Sequence, residues 1–312
     1  MVSTAFLFPG QGSQAVGMGK SLAAAFPEAR AVFQAADDAL GDSLSRLCCD
    51  GPESELVLTR NTQPAILVTS IAAHAVWAAR SGPAAFVAGH SLGEYSALVA
   101  AGSLSLGDAV RAVRARGTLM QEAVPAGTGA MAAVLGLDAE VVARVCAEAA
   151  GSEVVSPANY NSPEQTVIAG HASAVERASA KLKEAGAKRV VPLSVSAPFH
   201  CALMEPVKPR LADVLARCTV SAPRIPVVTN VEASPNADAS RVVPLLLAQV
   251  SAPVRWVESV RALAAAGVTR VVELGAGKVL GGLVKRISKD IEVLNVEDPA
   301  SLEKSLAAAG GR

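Results

Sequence analysis

The chain begins with a short apolar run, Thr4–Phe8, cut by Pro9-Gly10 and of the length of a buried strand. The next long apolar stretch, 62–80, has helical length, with Pro64 near its first turn, where a missing N–H is tolerated. A second short strand at 85–88 ends at Gly89. Helices follow at 92–101 and 106–124, separated by Gly102 and closed by Pro125. Strand-then-helix alternation predicts a parallel sheet covered on both faces.

The middle of the chain has a different rhythm. A strand at 130–135, a helix at 138–150, strands at 154–159 and 166–169, a helix at 172–185 and a strand at 189–193 give the order βαββαβ, the ferredoxin-like pattern. Its edges fall in Pro125-Ala126-Gly127-Thr128-Gly129 and around Ser196-Ala197-Pro198. The expected organisation is therefore a large α/β domain from residues 1–126 and 197–312, with an inserted small subdomain at 127–196. Beyond Pro198 the large domain resumes with helices at 203–217, 242–250 and 254–266 and strands at 226–229 and 269–273. A Gly-rich turn and a helix from Val279 close it.

Composition narrows the classes. The 28 Lys and Arg balance 28 Asp and Glu, which excludes nucleic acid as the main partner, and 51% hydrophobic residues exclude disorder. Aromatics are only 3%, so the core must be Ala, Val and Leu. The most apolar stretch, 65–79, holds Thr69, Ser70 and His74 and stops at Arg80, short of the roughly 20 residues a membrane span needs. The N-terminus has no charged region and no small-residue cleavage site, so no secretion is expected. Cys48, Cys49, Cys146, Cys201 and Cys218 are odd in number and lack CxxC spacing, which fits reduced thiols in the cytoplasm.

The candidate chemistry centres on Gly89-His90-Ser91-Leu92-Gly93, a G-x-S-x-G between a predicted strand and a predicted helix. In a nucleophile elbow the glycines permit a sharp turn that presents the serine, and the amide after it points at a developing oxyanion. The same five residues also suit a plain tight turn. Of the four histidines, His74 falls on an apolar helix, His90 diverges around the turn, and His171 ends an insert strand at the surface. His200 is left as the base by elimination. No acid between Ser91 and His200 stands out as an orienting carboxylate, so a backbone carbonyl in that role, and hence a dyad, is expected. Arg116 lies on the helix after the elbow helix; it suits either a solvated surface or a bidentate clamp on a substrate carboxylate. Two Gly-rich segments fail on context. Gly275-Ala276-Gly277-Lys278 lacks the other phosphate-loop residues, and Gly127-Thr128-Gly129 leads into a strand rather than a helix.

Five segments together resemble a known family: Phe8-Pro9-Gly10-Gln11-Gly12-Ser13-Gln14, Gly89-His90-Ser91-Leu92-Gly93-Glu94-Tyr95, Arg116-Gly117, Ala197-Pro198-Phe199-His200, and Gln249 with the residues after it. The chain is similar to the malonyl-CoA:acyl carrier protein transacylases of bacterial fatty acid synthesis, from about residue 3 to residue 295. The resemblance implies an α/β-hydrolase-like large domain with the ferredoxin-like insert. It implies that Ser91 is acylated, that His200 is its base, and that the amides of Gln11 and Leu92 form the oxyanion hole. Arg116 would bind the malonyl carboxylate and the main-chain carbonyl of Gln249 would orient His200. Gln63, Met120, Asn159 and Phe199 would line the pocket, the aromatic Phe199 fitting malonyl better than larger units. Malonyl-CoA and the phosphopantetheine arm of acyl carrier protein are then the substrates, and no cofactor, metal, nucleic acid or membrane is expected. The chain would act as a monomer. Rival readings are a polyketide acyltransferase acting in trans on malonyl or methylmalonyl units, a serine esterase or thioesterase, and a non-catalytic docking module. Lys181, Lys183, Lys188 and Arg189 suit either a basic patch for an acidic carrier or a solvated face.

Overall fold

In a computed structural model of the chain, residues 2–125, 127–193 and 197–310 are described. The first strand, β1 (Thr4–Phe8), is buried along nearly its whole length, as the unbroken apolar run requires. It pairs in parallel with β2 (Phe86–Gly89), register Phe8 opposite Gly89. The chain then leaves this sheet and builds a second one from β3 (Gly129–Leu135), β4 (Val155–Ser162), β5 (Gln165–His171) and β6 (Arg189–Pro192). It returns to the first sheet with β7 (Val227–Val228), β8 (Pro235–Asn236), β9 (Arg270–Leu274) and β10 (Glu292–Val296).

The first sheet has the order β10-β9-β1-β2-β7-β8. All its pairs are parallel except β7 with β8. The second sheet is antiparallel, order β4-β5-β3-β6, with the helices Ala139–Ala150 and Ala172–Glu184 packed together against it: the ferredoxin-like arrangement. The expected domain boundaries at Ala126 and Ser196 lie outside the described residues. β4 also pairs outside its own sheet: the Tyr160 amide donates to the Val254 carbonyl at 2.9 Å and the Val254 amide donates to that of Ala158 at 2.9 Å.

The core is mostly aliphatic, with a few aromatics such as Phe6, Phe8, Trp77, Tyr95 and Trp256 buried within it. The long helix Thr59–Ala78 lies buried on almost every side and starts three residues before the expected position 62, so that Pro64 falls within it. One expected helix, 203–217, is broken. Ala202–Met204 is a single 3-10 turn and the α-helix runs Val207–Leu215, because Pro206 has no N–H to carry the ladder across. No helix among the described residues is long and apolar enough to cross a membrane.

Candidate active site

Parallel pairing decides where the chemistry collects. With β1, β2 and β7 side by side and pointing the same way, the residues after Phe8, after Gly89 and after Val228 emerge at one edge of the sheet. That edge is where ligands bind in open parallel sheets. Gln11, Ser91 and Asn230 are thereby brought together from positions far apart in sequence.

The elbow itself is tight. A Cβ added to Gly89 would sit 1.9 Å from the Gly93 backbone, and one on Gly93 would sit 2.1 Å from the Phe8 carbonyl oxygen. Only glycine lets the strand, turn and helix approach this closely. Ser91 takes φ 51°, a left-handed conformation that costs a non-glycine residue energy and persists only where the surroundings hold it. Asn230 does so. Its Oδ1 accepts from the Ser91 amide at 2.6 Å while its Nδ2 donates to the Gly89 carbonyl at 2.7 Å. Among the described residues, the amides of Gln11 and Leu92 have no bonded acceptor.

Ser91 Oγ lies 2.7 Å from His200 Nε2. The other ring nitrogen, Nδ1, faces two carbonyl oxygens, Gln249 at 2.9 Å and Ala252 at 3.2 Å. Carbonyls only accept, so Nδ1 must carry the proton and Nε2 presents its lone pair to the serine. No carboxylate is needed to set this tautomer. Burial, then the Arg116 charge, push the His200 pKa down to about 3, against the opposing pull of the Gln249 carbonyl; the resting imidazole is neutral.

Arg116 is only 1% exposed, so the structure places it inside the site rather than at the surface. Nη1 donates to Gln63 Oε1 at 2.9 Å; Nη2 donates to Gln249 Oε1 at 3.0 Å and to Ser91 Oγ at 3.3 Å. Its Nε has no partner, its Cζ lies 5.6 Å over the Tyr95 ring, and no ion pair to it forms among the described residues. This is a buried cation held by neutral acceptors, an arrangement that favours an incoming anion.

The remaining expected residues divide. Gln63 and Met120 are buried and touch, Nε2 to Sδ at 3.9 Å, so they belong to the Arg116 surroundings. Phe199 is buried next to His200. Asn159 is buried at a bulge in β4, and its backbone bridges to Val254 rather than to Ser91 or Arg116. Asn161, two residues on, reaches His90 instead, its Oδ1 2.8 Å from Nε2, and the His90 ring lies tilted against Trp256. His74 is half-buried against the edges of Phe6 and Phe8, where burial lowers its pKa to about 4. His171 is half-buried rather than exposed, because its Nδ1 accepts from the Val154 amide at 2.9 Å. On the insert, Lys181 and Lys183 occupy the last turn of their helix, where cations suit the helix dipole, and exposed Lys188 pairs with exposed Glu164.

Three residues escaped the sequence reading: Glu94, Asn230 and the side chain of Gln249. Only Glu94 left a signal, as the one charged residue on the helix Gly93–Ala100.

An acyl transferase domain model matches residues 5–302. Over 307 residues the chain is 50% identical to the malonyl CoA-acyl carrier protein transacylase of Escherichia coli (strain K12), covering 98% of this chain and 99% of that one. The chain belongs to this transacylase family. The Bacillus subtilis (strain 168) member is 48% identical over 307 residues, 98% of this chain and 97% of that one. Among solved structures, an acyl carrier protein S-malonyltransferase from Vibrio cholerae matches with TM-score 0.94 at 50% identity, over 97% of this chain and 99% of that chain. A malonyl-transacylase in complex with its type II PKS acyl-carrier protein matches with TM-score 0.95 at 48% identity, over 98% and 99% of the two chains.

Proposed function

We propose that the chain transfers the malonyl group from malonyl-CoA to the phosphopantetheine thiol of acyl carrier protein through an ester on Ser91, in the cytoplasm and as a monomer, supplying units for fatty acid synthesis. The observation that carries this reading is Arg116, a buried guanidinium without a carboxylate partner that touches the nucleophile's Oγ at 3.3 Å. A malonyl carboxylate supplies the missing anion; a neutral acyl group leaves the cation unpaired, and selectivity follows. His200 takes the Ser91 proton as the alkoxide attacks the thioester carbonyl, and the amides of Gln11 and Leu92 receive the oxyanion. Coenzyme A leaves with the proton from His200. The carrier's thiol then gives its proton to His200 and attacks the ester, and the serine is regenerated. The malonyl carboxylate also offsets the Arg116 charge that depresses His200, so the substrate makes its own base stronger.

The steps use a serine, a histidine, an arginine and two backbone amides, and call for no cofactor. Phe199 is assigned to the pocket wall on its burial beside His200, and Asn159 on the family resemblance alone. The similarity to the transacylase solved with a polyketide carrier favours a second reading, the same transfer serving a polyketide synthase. Intact-protein mass spectrometry after exposure to malonyl-CoA tests the core of the proposal: a gain of about 86 Da on Ser91 is expected for a covalent malonyl intermediate. A chain that gains nothing is a docking module and not a transferase.

A further inference from the structure

Beneath Ser91 and Arg116 lies a fully buried set of polar groups that the transfer steps do not use. Glu94, the second residue of the elbow helix Gly93–Ala100, is 2% exposed, and its Oε2 accepts from the Asn230 amide at 2.9 Å and from Gln249 Nε2 at 2.8 Å. The Gln249 amide nitrogen also donates to the Ser91 carbonyl at 3.1 Å, while its Oε1 accepts from Arg116 Nη2.

A glutamine side chain in isolation is indifferent to which end is nitrogen and which is oxygen. Here it is not. Glu94 Oε2 already accepts from the Asn230 amide and the Ser91 carbonyl can only accept, so the NH2 of Gln249 faces both, and the oxygen must then face Arg116. The reversed amide sets oxygen against carboxyl and NH2 against guanidinium, two repulsive contacts among buried groups. Glu94, with the Ser91 carbonyl beside it, thus sets the sense of the amide, and the amide sets the guanidinium. On the serine side the Asn230 side chain holds the Ser91 amide and the Gly89 carbonyl, and the same network touches it through the Asn230 amide on Glu94 and the Gln249 amide on the Ser91 carbonyl. Burial outweighs the pull of Asn230, Gln249 and Arg116 toward the charged form and leaves the Glu94 carboxyl raised to about 7.

We propose that Glu94 is a positioning residue for recognition of the acyl group, acting through the Gln249 side chain on the direction in which Arg116 presents its guanidinium. The inference rests on the reading of Arg116 as the carboxylate clamp.

The test compares two acylations of Ser91 in the full-length chain: by malonyl-CoA, which needs the clamp, and by p-nitrophenyl acetate, a neutral ester that needs only serine, histidine and oxyanion hole. Their ratio does not depend on the fraction of protein that is folded. Glu94→Leu removes the acceptor and is expected to lower the malonyl-to-acetate ratio about 30-fold, about 2 kcal/mol at 1.36 kcal/mol per tenfold. Glu94→Gln keeps an oxygen at the accepting position and should bring the ratio back to within about 5-fold of the parent, the discrimination left by a neutral hydrogen bond. If Glu94→Leu does not fold, Glu94→Asp withdraws the carboxylate by one methylene and is expected to move the ratio the same way. Equal losses in both reactions, or an unchanged ratio, would overturn the proposal and leave Glu94 as a support of the elbow. A parent chain that takes up no malonyl at all would overturn the clamp reading as well, so the two failures are distinguishable.

Discussion

The two sheets of this molecule treat polar residues in opposite ways. At the edge of the parallel sheet, Glu94, Arg116, His200, Asn230 and Gln249 are buried together beneath half-buried Ser91, joined by side-chain hydrogen bonds across more than a hundred residues of sequence. In the antiparallel sheet the interior is Val134, Val142, Cys146, Ile168, Ala178 and Leu182, and charge is kept outside in pairs such as Arg144 with Glu148. Burying charge without an exact partner is expensive, and a fold that needs only stability has no reason to do it. The insert shows what this chain does when stability alone is at stake; the parallel edge shows what it does when a substrate must complete the site.

Substitutions can break that contrast. The largest effect belongs to Ser91→Ala, which should lower malonyl loading by about 10⁴-fold or more, measured by single-turnover release of coenzyme A. Next comes Arg116→Ala. Loss of a buried charge pair of about 4 kcal/mol predicts a roughly 10³-fold fall with malonyl-CoA, while acylation by a neutral ester survives or rises. Equal losses with both would remove the clamp.

In the insert, Ile168→Ala should destabilise by about 3 kcal/mol through its cavity and leave the ratio of malonyl to neutral acylation unchanged. A shift in that ratio would mean the insert does more than support. The pH profile comes next. A depressed His200 pKa keeps the imidazole neutral as pH falls, so neutral-ester acylation should hold nearly level through pH 6.5 and decline only well below it. A midpoint at 6.5 would show that His200 is not desolvated. The smallest effect is expected for Arg144→Gln, on an exposed pair, with the melting temperature within about 1 °C of the parent.

What the sequence made legible follows from how each feature is encoded. The elbow could be read because glycine is the only residue that fits its close approaches, and β-strand and helix periods placed it between two elements. The type of Arg116 was visible but not its direction, since helical spacing leaves open which neighbour a side chain meets. Gln249 shows the limit most clearly: its carbonyl orients His200, and a backbone atom leaves no trace in residue identity. Without the family resemblance, nothing singled out position 249. Asn230 and Glu94 act through hydrogen bonds that exist only once β2 and β7 are paired. The broken helix at 203–217 was readable in principle, since Pro206 is in the sequence; apolar spacing masked it.

The pairing of β4 with Val254 has a consequence for how the molecule unfolds. Val254 follows directly on the Gln249–Ala252 carbonyls that hold the His200 ring, so the last hydrogen bonds of the insert and the first of the dyad lie on one short segment. Release of the insert frees that segment and with it the imidazole. The two sheets should therefore lose structure in a single cooperative transition, with acylation disappearing along the same denaturant curve as the insert's own signal. A site divided between separately melting units would instead fail in two steps.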